Sequence, residues 1–136
     1  MDNNLIFPLL KELELVDSTV DVNEAIPLLA AEWNQLKGEL ETLYRNRDQK
    51  TTLDGMKKGI GLYIQFLYLS NDRQGKDLES FDSLEIKPVN LEERLAFILS
   101  RPNLFHSYRQ LSELMMEQEK LYAKKNILKK RLSQKG

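Results

Sequence analysis

The chain has 136 residues, 41% of them hydrophobic and 30% charged, with a formal net charge of −1 at pH 7. That length and balance fit one folded domain over residues 1–136 with its own core, and exclude an extended disordered chain. The absence of cysteine excludes disulfides, thiolate metal sites and a cysteine nucleophile.

The opening "MDNNLIFPLLKELELVD" is acidic, lacks a basic leader region and carries a proline in its short apolar run. It is not expected to act as a secretory signal. The longest apolar run, "GIGLYIQFLYL", covers 11 residues and contains Gln65, too short to span a bilayer. A cytoplasmic protein with no transmembrane segment is expected. Charge is unevenly spread: −6 over residues 1–45, −1 over 46–100 and +6 over 101–136. An acidic start and a basic end can neutralise each other, within one bundle or in a homodimer, or each can face a separate partner.

Apolar spacing is helical along nearly the whole chain. Leu5, Ile6, Leu9, Leu10 and Leu13 predict a short first helix, interrupted by Pro8. Ile26, Leu29, Trp33, Leu36, Leu40 and Leu43 alternate steps of three and four, which predicts a second helix with Trp33 as a core anchor. Pro27 stands near its start, and Asn23 or Asp21 is placed to cap it. Leu53, Met56, Ile60, Tyr63, Ile64 and Leu67 predict a third helix ending near Ser70 and Asn71, in which Gly55 and Gly59, four apart, suggest close helix packing. A polar loop follows at about residues 72–90, with an extended piece at 84–86. Leu91, Leu95, Ile98 and Leu99 mark a fourth helix stopped by "SRPN". A long fifth helix runs from about Leu104 through Leu111, Leu114, Met115, Leu121, Leu128 and Leu132. No hairpin signal or internal repeat occurs. The expected fold is an all-α helical bundle of about five helices, with a basic tail from about residue 120.

The densest cluster of candidate chemistry is "IKPVNLEERLAFILSRPNLFHSYRQL", from Ile86 to Leu111. It reads mainly as a joint. Asn90 is placed to cap the fourth helix with Glu93 reaching back to it, while Pro102 ends that helix and Asn103 caps the next. Glu92 and Glu93 are adjacent on a helix, so they point about a hundred degrees apart and cannot flank one bond. His106 is the sole imidazole, which excludes a histidine-rich metal site. No nucleophile elbow, phosphate-binding loop or dinucleotide fingerprint is present. No catalytic residue, metal or cofactor is expected.

In the order Trp33, "ETLYRNRD", "GMKKGIGLYIQFLYLSN" and "KPVNLEERLAFILSRPNLFHSYRQLSELMMEQEK", the chain resembles the YpoC-like proteins of Bacillus and its relatives. The resemblance implies a small bacterial cytoplasmic protein and brings no functional residue with it.

The leading functional expectation is a non-catalytic helical interaction protein, an adaptor or regulator with a protein partner. Arg45 and Arg47 end the second helix, while Lys87 and Arg94 flank the fourth; if they converge, they form a groove for a peptide carboxylate or phosphate. If dispersed, they serve helix-end carbonyls. The alternative is a nucleic-acid-binding protein that tracks phosphates with Lys124, Lys125, Lys129, Lys130 and Arg131. Leu121, Ile127, Leu128 and Leu132 add a third reading, a membrane surface. The fifth helix is expected to pack by Leu104, Tyr108, Leu111 and Met115. Its tail should then project, or lie along Glu32, Glu39 and Glu41 of the second helix.

Overall fold

The computed structural model describes residues 22–72 and 81–135. Four helices account for most of them: α1 (Val22–Arg45), α2 (Gln49–Leu69), α3 (Leu91–Ser100) and α4 (Phe105–Lys135). Among the described residues there is no strand. The expected helix at residues 5–13 lies outside the described residues.

The stripe of α1 is buried as its spacing predicts. Ile26, Leu29, Trp33, Leu36 and Leu40 all lie in the core, with Trp33 only 3% exposed. The helix begins at Val22, so Asn23, one of the two expected caps, is inside its first turn and Pro27 is interior; the other, Asp21, lies outside the described residues. A proline there removes one backbone hydrogen bond. At the other end Arg47 takes a left-handed conformation, φ 57°. Its N–H donates to Tyr44 O and that of Asp48 to Leu43 O, both at 3.2 Å, the paired bonds that close a helix C-terminus. Asp48 then starts α2, its carboxylate accepting from Thr51 N at 3.1 Å.

From Gly59 onward α2 is buried almost all round, because α1 and α4 both pack against it. The approach is close where glycines allow it. A methyl group on Gly59 would lie 3.1 Å from the Trp33 ring and 3.2 Å from Leu111; one on Gly55 would meet Leu40 at 2.8 Å. Apolar side chains from all four helices, with Phe81 and Leu84 of the connecting segment, form one cluster.

That connecting segment is pinned by side chains. Asn71 donates to Leu67 O and Ile86 O and accepts from Ile86 N, each at 2.8 Å. Residues 84–86 are therefore held by an amide side chain and form no strand. Gln118 of α4 adds a bond to Ser70 Oγ at 2.8 Å and one to Ile86 O at 3.2 Å.

Two expectations at the α3 boundaries are corrected. Asn90 sits at φ 57° and ψ 35° with no side-chain cap bond; a left-handed backbone turns its side chain away from the amides that a cap must reach. It contributes its carbonyl, which accepts from Arg94 N at 3.0 Å. Helix α4 begins at Phe105, beyond Asn103, with Leu104 O accepting from Ser107 and Tyr108. The buried stripe of α4 is Tyr108, Leu111, Leu114 and Met115; Leu104 is 43% exposed and stands outside it.

Candidate functional site

The C-terminal end of α1 meets the start of α4 through aromatic side chains. Tyr44 Oη donates to Pro102 O at 2.7 Å, tying α1 to the turn between α3 and α4. The Tyr44 ring meets Phe105 edge-on at 5.6 Å between centroids and Tyr108 at 5.8 Å; Phe105 and Tyr108 are 5.5 Å apart. Tyr108 Oη donates to Glu41 Oε1 at 2.7 Å. Burial pushes the Tyr44 hydroxyl up to about 12. The Tyr108 hydroxyl is raised too, by burial first and then by its bond to the Glu41 carboxylate. Both phenols thus stay protonated and act as donors across the physiological range.

Two adjoining cavities open beside these rings and share Glu41 and Phe105 as walls. One, of about 540 Å³, is also lined by Tyr44, Arg45, Asn103 and Leu104. The other, of about 400 Å³, is lined by Lys37, Tyr108, Arg109, Ser112 and Glu113. Phe105 is 50% exposed on the ridge between them. Arg45 and Arg109 are exposed on either side, and neither makes an ion pair within the described residues. Exposed apolar rings flanked by unengaged guanidinium groups are the composition that anchors protein partners. Sequence reasoning picked out Arg45 here but missed Tyr44, Leu104, Phe105 and Arg109. The available signal was Leu104-Phe105 next to Pro102 at a helix start, where side chains lie above the bundle rather than within it.

The other three predicted groove residues do not join Arg45. Arg47 serves the turn after α1. Lys87 lines a separate cavity of about 440 Å³ with Phe81, Asn90 and Glu93, and its Nζ donates to Phe81 O at 2.9 Å. Arg94 is turned inward to α4: both its terminal nitrogens engage the Glu117 carboxylate. Its Nε donates to Gln110 Oε1 at 3.4 Å and Nη1 to Val89 O at 3.2 Å. The bond to Glu117 and the charges of Glu117 and Glu113 raise the Arg94 value further, outweighing desolvation. Tyr63 Oη is buried close to this pair without a hydrogen-bond partner among the described residues, and burial raises it strongly. Arg94 is thus a fixed brace between α3 and α4.

The predicted nucleic-acid set is split in two. Lys125 Nζ donates to Ser70 O at 3.1 Å and to Asp72 Oδ2 at 3.2 Å, and lies 3.7 Å from Glu85. Lys129 reaches the same Asp72 oxygen at 3.3 Å. The partners of Lys125 and Lys129 are therefore just beyond α2 and at Glu85, and not Glu32, Glu39 and Glu41, the counter-charges expected if the tail lay along α1. Glu41 is taken by Tyr108. Lys124, Lys130 and Arg131 stay exposed.

Among the described residues no group of three or more His, Asp or Glu side chains is placed to hold a metal ion. No helix among them is long and apolar enough to cross a membrane.

No solved structure matches the chain. A curated relative, "Uncharacterized protein YpoC" from Bacillus subtilis (strain 168), is 31% identical over 111 residues, covering 76% of this chain and 66% of the relative. The chain thus spans just under two thirds of that relative's length. The family model described as "YpoC-like protein" matches residues 23–130, from the first turn of α1 to the exposed part of α4. The chain belongs to the YpoC-like protein family.

Proposed function

We propose that this protein is a non-catalytic helical interaction protein, an adaptor or regulator of a bacterial cytoplasmic process, which receives a partner protein in the trough between α1 and α4. The observation that supports this reading is Phe105, half exposed between two cavities, with Arg45 and Arg109, free of ion pairs among the described residues, beside it. The chemistry suits a peptide segment that offers an apolar side chain to the rings and carboxylates to the arginines. The interior is spent on packing and bracing, which leaves the surface to carry recognition.

The alternative, nucleic-acid binding by the tail, is weakened by Lys125 and Lys129, which are engaged by Asp72. Co-purification from the native host tests both. Proteins retained by the wild type should be lost with the double variant Arg45→Glu/Arg109→Glu at unchanged thermal stability. They should be kept when Lys124, Lys130 and Arg131 are changed to Glu. The opposite pattern, together with salt-dependent affinity of the wild type for duplex DNA or RNA, would replace this reading with the alternative.

A further inference from the structure

Two exposed stripes of opposite charge face solvent on different helices. On α1, Glu24, Leu28, Glu32 and Glu39 recur at helical spacing on an exposed face about a hundred degrees round the helix from the buried Trp33 stripe. Leu28 is 63% exposed, and none of the three glutamates makes an ion pair within the described residues. On α4, Lys120, Lys124, Ile127, Leu128 and Arg131 share a second face. Ile127 is 53% exposed and Leu128 51%. No acid follows Glu119. Each stripe is apolar at its middle and charged around it.

We propose that these stripes pair between two copies of the chain, the α4 stripe of each against the α1 stripe of the other. The contact is reciprocal, so two copies close into a dimer. Charge complementarity selects this occupant. Two α4 stripes would repel, as would two α1 stripes, whereas the crossed pairing matches cations to carboxylates and Leu28 to Ile127 and Leu128. A polyanion such as nucleic acid or an anionic membrane would satisfy the lysines, but it would leave the acidic stripe and Leu28 unused.

Sedimentation equilibrium of the full chain tests this. In about 50 mM salt the mass should approach twice the 15.9 kDa of one chain. It should return toward the single mass in about 500 mM salt, where the screening length falls to about 4 Å. Glu24→Lys/Glu32→Lys and Lys124→Glu/Arg131→Glu should each weaken association by at least about tenfold. Mixing these two variants should restore the dimer, because both stripes of one are then cationic and both stripes of the other anionic. Lys130→Glu, a charge change off the stripe, should leave association intact. A wild type that stays monomeric in low salt overturns the proposal, including when its tail binds phosphatidylglycerol vesicles or duplex DNA. So does a dimer that survives both double variants, a mixture that stays monomeric, or a Lys130→Glu chain that dissociates equally.

Discussion

Gly59 sits where three helices meet, with the Trp33 ring of α1 on one side and Leu111 of α4 on the other, both closer to an added methyl than ordinary contact allows. Gly59→Ala should therefore destabilise by about 1–3 kcal/mol through overpacking. Gly38, exposed in the middle of α1, has no neighbour within 4 Å of a new methyl. Gly38→Ala should stabilise by about 0.5–1 kcal/mol through helix propensity alone. Urea titration of both variants checks the pair; equal effects would mean that the helices are not in close contact at Gly59. Arg94 makes a second residue-level claim. Its planar fork holds Glu117 with two nitrogens while bonding Gln110 and Val89. Lysine keeps the charge but cannot form the fork, so Arg94→Lys should still cost about 1–2 kcal/mol in the same measurement. A neutral outcome would return Arg94 to the surface and to the list of binding candidates.

At the scale of elements, the end of α2 is where the chain's charge asymmetry is partly resolved. Asp72 is drawn two ways: desolvation works to raise its carboxyl, but the bonds and charges of Lys125 and Lys129 outweigh it and hold it below the ordinary carboxylate range. A depressed folded-state value means the contact is fully stabilising at neutral pH. It is lost as pH falls from the unfolded value through the folded one. Because the Asp72 side chain is 58% exposed, the pair with each lysine is worth at most about 1 kcal/mol. Asp72→Asn should thus melt slightly earlier than the wild type at neutral pH and together with it at acid pH. A gap that widens on acidification would contradict the assignment. The helices themselves were legible in the sequence because burial imposes a period on them, and the step pattern from Ile26 to Leu43 marks the α1 stripe. Their caps were less legible. Asn90 has the residue type of a cap but a left-handed backbone, and residue type alone does not report φ. Asn71 and Gln118, which fasten residues 84–86, carried a fainter sign: Gln118 interrupts the otherwise apolar seam between Met115 and Leu121, as a buried amide with a fixed partner would.

Over the whole molecule, the trough between α1 and α4 was the least legible feature, for a physical reason. Tyr44 and Pro102 are 58 positions apart and meet only because α1 and α4 pack end against start. No local spacing encodes that juxtaposition, and the four arginines and lysines chosen from helix ends were distributed by the fold to separate places. Central to the proposed function is that this trough receives a partner protein other than a second copy of the chain. A photo-crosslinking amino acid at position 104, beside Phe105, compared in the native host with one at position 89, tests it most directly. Both positions are exposed, Leu104 at 43% and Val89 at 76%, so solvent access alone would favour the control. A discrete protein adduct is expected from position 104 that disappears with Arg45→Glu/Arg109→Glu, and none from position 89. Equal adducts from both positions, or an adduct from 104 indifferent to the arginine changes, would contradict it.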